Sequence, residues 1–457
     1  MVVVLEWFAG IGGFRQAYED AVEHLNVESC KTNSFIAIES SAFLEEIYRF
    51  NWFSGGVDHI ETNENMHIGD NKDEFKRLNI QNVKLAMIEE LKAKVWTLSP
   101  PCQPFSTTKD AKRLCKADHR NDAFERVMDV LINLKERPEF IFLENVKGFY
   151  ESQPYHKFIH VLKSLGYEWR QYILSPIQFQ IPNQRSRFYM CIRRKKREEE
   201  NKRFCGINFS QNSKQIFNRV DSQAYQGCIT RYQVSDNISL DCSFLETIQP
   251  PYFQLDFENL PINELKNYLV SFENEKAPEA LLLADKVLDK PFAKWLSYVG
   301  KNDKSTYCFT SSYHKTVNKS SGSLLHIEIS RGSDIPDVNV NDQTTKAGVK
   351  NPRAGDQEAG SIMDKIDLNH LKNKVRFFAP RELLNIFGFR SSFNFPSNIP
   401  LRQQYKAIGQ SLNVIVVRAI IFETLWATVT KSEPTPGAAT FFHCSDITEL
   451  EHSRRFM

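Results

Sequence analysis

The sequence predicts an α/β fold, a parallel sheet with helices on both faces followed by a smaller second domain, and three observations carry that expectation. From Val2 to about Ile192, short apolar or β-branched runs alternate with amphipathic stretches, as they do where helices cover both faces of a parallel sheet. The pattern then stops: Arg193 to Arg203 packs seven basic and three acidic residues together, and the chain stays polar, aromatic and irregular to about residue 303. Finally, 457 residues is enough chain for two or three domains at about 100 to 200 residues each.

The elements follow in order. Val2–Trp7 opens the chain as a buried strand: it has no basic leader and meets Glu6 after four apolar residues, unlike a signal peptide. A helix is expected over Arg15 to Leu25. Further strands are expected at Phe35–Ile38, Val95–Leu98, Phe140–Leu143, Tyr172–Leu174 and Phe188–Ile192. Residues 333–361, rich in Gly, Asp, Asn, Lys and Pro, are expected to form a mobile insertion. Order returns at Val375–Phe395, and Asn413–Thr428 is expected to be a buried helix. The tail, with Glu433-Pro434-Thr435-Pro436-Gly437, is expected to be loose. The resulting division is 1–192, 193–375, 376–430 and 431–457.

Composition narrows the function. Lys plus Arg (58) against Asp plus Glu (56) leaves a formal charge of +2, which excludes a histone-like protein held to nucleic acid by bulk charge. Hydrophobic residues at 41% exclude wholesale disorder. No apolar run reaches the roughly 18 residues of a membrane span, so a soluble intracellular protein, cytoplasmic or nuclear, is expected. Nine scattered cysteines without a Cys-x-x-Cys pair fit free thiols in a reducing compartment, with neither a disulfide framework nor a metal module.

Four motifs carry chemistry. Phe8-Ala9-Gly10-Ile11-Gly12-Gly13-Phe14 follows a strand and precedes a helix, where glycines let backbone approach a ligand. Glu39, at the end of the next strand, can accept ribose hydroxyl protons, so the two together suggest an adenosine-type cofactor. The turn departs from G-x-G-x-x-G, which counts against a nicotinamide or flavin oxidoreductase. Ser99-Pro100-Pro101-Cys102-Gln103-Pro104-Phe105 holds Cys102 on a proline-stiffened loop after a strand, presented as a nucleophile. Glu144-Asn145-Val146 ends an apolar strand, where poor solvation raises a carboxyl pKa and suits it to proton donation. Asn183-Gln184-Arg185-Ser186-Arg187 puts two arginines on one face of an extended segment. Taken singly, each has a plainer alternative: a tight turn, a buried small thiol, a helix-starting carboxylate, ordinary surface arginines.

In this order the motifs, with Gly409-Gln410-Ser411-Leu412-Asn413-Val414 near the end, resemble the cytosine-5 methyltransferase family over most of the chain. Glu144-Asn145-Val146-Lys147-Gly148-Phe149, Asn183, Cys308-Phe309-Thr310, and Gly388-Phe389 with Phe393-Asn394-Phe395-Pro396 resemble its small branch that methylates transfer RNA. The resemblance implies a Rossmann-like S-adenosylmethionine-dependent methyltransferase domain with a smaller target-recognition domain. It implies Cys102 as the nucleophile on carbon 6 of cytosine, Glu144 at ring nitrogen 3 and the exocyclic amine, and Arg185 and Arg187 about the base. For the cofactor it implies Phe8, Gly10, Ile11, Gly12, Gly13, Glu39, Ser99, Pro101, Ser411 and Asn413. The family's acidic residue near adenine has no counterpart here, and Ile80 after Asn79 is the nearest position; Gln410 stands where the family has Asn.

The implied substrate is a cytosine in the anticodon loop of an aspartate-type transfer RNA, with DNA as a possible minor substrate. The alternatives are a DNA cytosine-5 methyltransferase, a non-catalytic nucleic-acid-binding protein and a Rossmann-type oxidoreductase. Basic residues from Lys109 to Arg120 and from Arg193 to Arg197 are expected to meet phosphates.

Overall fold

The computed structural model describes residues 2–25, 32–53, 73–101, 120–195, 252–253, 261–272, 277–327 and 368–429. All six expected strands are present. β1 (Val2–Trp7) and β4 (Val95–Leu98) coincide with their apolar runs, whereas β2 (Thr32–Glu39), β5 (Phe140–Val146), β6 (Tyr167–Leu174) and β7 (Arg187–Arg194) extend beyond them. Two strands escape the pattern: β3 (Glu74–Arg77) and β8 (Tyr252–Phe253). They are the two edges of an eight-stranded sheet ordered β3-β2-β1-β4-β5-β7-β6-β8. Edge strands are short and often charged because that discourages pairing with another chain, and neither trait makes an apolar run.

The expected parallel sheet needs one correction. β3, β2, β1, β4 and β5 run parallel, but β7 is antiparallel to both β5 and β6. The connection from β6 to β7 holds only a 3-10 turn, Pro176–Phe179; without a crossover helix, adjacent strands must reverse. The reversal sets Arg187, at the start of β7, against Val146, at the end of β5.

Helices cover both faces, as the alternation along the strands requires. Val4, Phe140 and Phe142 join one apolar cluster with α1 (Gly13–Leu25) and α8 (Val414–Val429). Leu5, Trp7, Ile141 and Leu143 join another with α3 (Leu85–Leu91), α4 (Arg120–Asn133) and α5 (Gln153–Ser164). α2 (Ala42–Trp52) packs Tyr48 and Trp52 against Phe75 of β3.

The second region builds a three-stranded sheet from β9 (Tyr298–Val299), β10 (Leu324–His326) and β11 (Val375–Arg376). Its Leu265, Val299, Phe309 and Leu324 lie in the same apolar cluster as α6 (Pro380–Phe387), α7 (Leu401–Gln410) and α8. The boundary drawn at residue 375 therefore falls inside β11. Leu401–Leu425 is long and apolar enough to cross a membrane by length and composition alone, yet 56% of its apolar window is buried in the fold. It is two helices, broken between Gln410 and Val414. The expected insertion at 333–361, the tail 431–457, the residues Lys109 to His119 and Cys102 lie outside the described residues.

Candidate active site

In open α/β sheets ligands bind beyond the carboxyl ends of the strands, where the strand order reverses. Here that point lies between β1 and β4, and the motif residues gather around it. After β1 the chain turns through Phe8, at φ 59°, Gly10, at φ 57°, and Gly12, at φ 85°. The turn is pinned by Ala9 N donating to Ile38 O at 3.1 Å and Gly12 N to Ala9 O at 3.0 Å. The glycines have different duties. A Cβ on Gly12 would lie 2.1 Å from Trp52 Nε1, whose N–H donates to Ile11 O at 3.1 Å. A Cβ on Gly13 would press on Ser411 Oγ and Leu412, so both positions serve protein packing. Gly10 has nothing within 4 Å of its Cβ position; it is where the turn meets open space.

Glu39, half-buried at the end of β2, accepts from Ser40 N at 2.8 Å and Ser41 N at 3.0 Å through Oε1. Through Oε2 it accepts from Gly10 N at 3.3 Å. A carboxylate oxygen accepts about two hydrogen bonds, which leaves Oε2 room for a ligand hydroxyl beside Gly10. The open left-handed turn and this adjacent acceptor fit an adenosine-type cofactor.

A second carboxylate, Glu6, supports the turn from below. It is fully buried, accepts from Arg15 N at 3.1 Å through Oε1 and from the Tyr48 hydroxyl through Oε2. Burial pushes its carboxyl up to about 7, against the opposing pull of Tyr48 and Arg15. The Arg15 guanidinium pairs with Glu19 at 2.9 Å and Asp73 at 2.5 Å and lies over the rings of Phe35 and Trp52.

On the other side of the switch point, Ser99, Pro100 and Pro101 leave β4 toward Cys102. Asn145 is 1% exposed; its Nδ2 donates to Pro100 O at 3.2 Å and its Oδ1 accepts from Val146 N at 2.8 Å. It ties the proline loop to the end of β5, next to Glu144. The Glu144 carboxyl is buried and lies 3.5 Å from Arg187 Nε. Burial raises its pKa, while Arg187, Arg185 and the Ser99 hydroxyl oppose the shift.

The two arginines converge on one thiol but differ in what else they touch. Arg187 Nη2 reaches Cys308 Sγ at 3.7 Å. Arg185 is 3% exposed and spans three segments: Nη1 donates to Phe309 O at 2.9 Å and to Cys308 Sγ at 3.4 Å, and Nη2 to Gly409 O at 3.2 Å and Ser411 O at 2.5 Å. Its carbon Cζ lies 5.0 Å from the centroid of the Phe387 ring. Burial opposes ionisation of the Cys308 thiol, yet the two guanidiniums hold its pKa below the ordinary value.

The remaining expected residues are placed as follows. Ile80 is buried in the cluster with Leu5 and Trp7, and its carbonyl accepts from Val83 N at 3.1 Å. Asn413 Nδ2 donates to Ile386 O at 3.0 Å and its Oδ1 accepts from Val416 N at 3.2 Å; its amide caps α8. Ser411 presents its hydroxyl to Gly13 and its carbonyl to Arg185. Arg193, in the second basic segment, pairs with Glu168 and Arg194 donates to Arg137 O at 3.3 Å. Among the described residues no group of three His, Cys, Asp or Glu could hold a metal ion. Sequence reasoning missed Glu6, Trp52 and the linking role of Asn145, because their partners lie 41 to 45 residues away for Trp52 and Asn145 and no local pattern marks them.

The model of the C-5 cytosine-specific DNA methylase family matches residues 2–426. A tRNA (cytosine(38)-C(5))-methyltransferase of Homo sapiens is 27% identical over 435 residues, 92% of this chain and 97% of that protein. A DNA (cytosine-5)-methyltransferase of Dictyostelium discoideum is 26% identical over 428 residues, 92% of this chain and 93% of that protein. Among solved structures, the Schizosaccharomyces pombe Dnmt2 methyltransferase shares the fold with a TM-score of 0.59 at 23% identity, covering 93% of this chain and 99% of its own. The Entamoeba histolytica methyltransferase EhMeth does so at 0.60 and 24%, covering 94% and 99%.

Proposed function

The chain belongs to the C-5 cytosine-specific DNA methylase family, and on that footing we propose that it methylates carbon 5 of a cytosine in transfer RNA, in the anticodon loop of an aspartate-type molecule, with S-adenosylmethionine as methyl donor. The observation that carries the reading is the buried Glu144 beside Arg187, tied through Asn145 to the loop that leads into Cys102. The transfer-RNA substrate is supported by the human relative over nearly the whole chain, and by the lower cost of extruding a base from a loop than from a duplex.

Carbon 5 of cytosine is a poor nucleophile until carbon 6 is attacked. The Cys102 thiolate forms a bond to carbon 6, and the electron pair of the ring double bond moves toward carbon 5. Glu144, whose pKa burial raises, gives its proton to ring nitrogen 3 as charge builds there. When bound, S-adenosylmethionine supplies an electrophilic methyl group to carbon 5. Loss of the carbon 5 proton to solvent then restores the ring double bond as the carbon–sulfur bond breaks, ring nitrogen 3 gives its proton back to Glu144, and Cys102 leaves as the thiolate. Arg187 holds the Glu144 carboxyl in place, and Gly10 with Glu39 receives the cofactor's adenosine.

Incubation with labelled cofactor and either total transfer RNA or cytosine-containing duplex DNA tests the reading. Label is expected in transfer RNA, and Cys102→Ala is expected to abolish it while cofactor still binds. Labelled DNA with silent RNA would establish the second reading, a DNA methyltransferase, which the Dictyostelium relative favours. Undiminished transfer by Cys102→Ala would reject the covalent route. Bisulfite sequencing of transfer RNA from cells with and without the protein identifies the molecule and the position.

A further inference from the structure

The chain on either side of Cys308 carries a stretch that the proposed reaction leaves unexplained. Residues 286–319 hold seven lysines against two aspartates, with no arginine or glutamate, in a chain whose whole balance is +2. Asp289 lies 2.8 Å from Lys372, outside the stretch, and Asp303 accepts from Gly300 N at 2.7 Å. All of these lysines except Lys294 are exposed. The same stretch supplies three of the six exposed large apolar side chains among the described residues: Phe292 at 45%, Trp295 at 60% and Tyr307 at 37%. Exposed aromatics among cations are an expensive way to face water, but they match a chain that offers base faces and phosphates together.

Tyr307 is the best placed of the three. It directly precedes Cys308, and its backbone is clamped on both sides: its N–H donates to Ser323 Oγ at 2.9 Å, and its carbonyl accepts from Asn183 Nδ2 at 3.1 Å. Thr306, just before it, donates to Pro182 O at 2.7 Å. The ring is thus presented from a rigid backbone, which lowers the entropy lost on binding. Lys319 Nζ lies 4.8 Å from the ring centroid. An exposed cation–π pair is weak, so it exchanges readily for a stacked base and a phosphate. Trp295 lies two residues before Ser297, whose Oγ hydrogen-bonds Ser323 Oγ at 2.8 Å, the atom that holds Tyr307.

We infer that Tyr307 stacks a base flanking the target cytosine in a single-stranded loop, with Lys319 on the adjoining phosphate. This rests on the transfer-RNA reading and adds where the loop lies. The test uses the full chain and two measurements: anisotropy of a short, cytosine-rich, single-stranded oligoribonucleotide without cofactor, and steady-state methylation of transfer RNA. Tyr307→Ala is expected to weaken oligonucleotide binding and raise KM for transfer RNA by about tenfold, in the range for losing one base–aromatic stack. Tyr307→Phe, which keeps the ring face, restores both. Lys319→Ala reduces the slope of log affinity against log salt by about 0.7, one phosphate contact on a single strand. Wild-type affinity, KM and salt slope in these variants would overturn the inference and leave the proposed function standing. If the oligonucleotide responds as expected but the wild-type protein methylates no RNA, the proposed function fails while the binding surface remains.

Discussion

Glu144 shows how one residue's surroundings decide its chemistry. Its carboxyl is raised by burial and only partly countered by Arg187 and Arg185, so the proton-donating form persists to a higher pH than in water. As pH climbs through that raised pKa the carboxyl ionises, and kcat is expected to fall. Glu144→Gln should lower kcat by about 10²- to 10⁴-fold and remove that limb, as a pH–rate profile would show. Gly10 and Gly12 offer a contrast of the same kind. Both have positive φ, but Gly12 is closed by Trp52 and Gly10 faces open space. Gly12→Ala should therefore destabilise the fold by a few kcal/mol through overpacking and backbone strain. Gly10→Ala should cost about 1–2 kcal/mol and appear chiefly as a raised KM for the cofactor, a difference that thermal melts and cofactor titration separate.

Among elements, β1 and α1 meet at the buried Glu6, and their junction is sensitive to pH. The carboxyl is raised to about 7 from an unfolded value near 4.5. Between those values the folded state holds a proton that the unfolded chain has released, so stability falls as pH rises from about 4.5 to 7 and then levels. Glu6→Gln keeps an acceptor for Arg15 N and a partner for Tyr48 while removing the buried charge. Its melting temperature should exceed the wild type's at pH 8, by a stability difference of order 3 kcal/mol, and the difference should vanish near pH 4.5. β7 illustrates an element whose direction carries function: because it runs against β5, Arg187 arrives at the strand ends where Glu144 lies.

For the molecule as a whole, Arg185 is the strut that closes the fold. Its guanidinium joins the 308–309 segment to the carbonyls of Gly409 and Ser411, holding the second region to the segment that returns to α1. Arg185→Ala leaves buried carbonyls unpaired and should cost about 3 kcal/mol or more by urea unfolding. Arg187, which shares Cys308 with Arg185 but pairs with Glu144, should lose activity more than stability on replacement with Ala, by about 10²-fold in kcat. Two arginines that look equivalent in the chain thus separate into a positioning strut and a partner of the proton donor.

The sequence by itself determined six of the eight strands of the central sheet, the glycine turn, the proline motif and the acidic and basic residues around them. These are local matters, set by side-chain period, by the φ freedom of glycine and by the rigidity of proline. Only the tertiary structure decided the direction of β7, the charged edge strand β3, the shared core of Leu265, Phe309 and Ile415, and the different work of Arg185 and Arg187. It also decided that the Asn413 amide reaches Ile386 O and that burial pushes the Glu6 carboxyl up to about 7. Each depends on burial or on partners distant in sequence, and desolvation acts through the whole surrounding packing, which no short run of residues encodes.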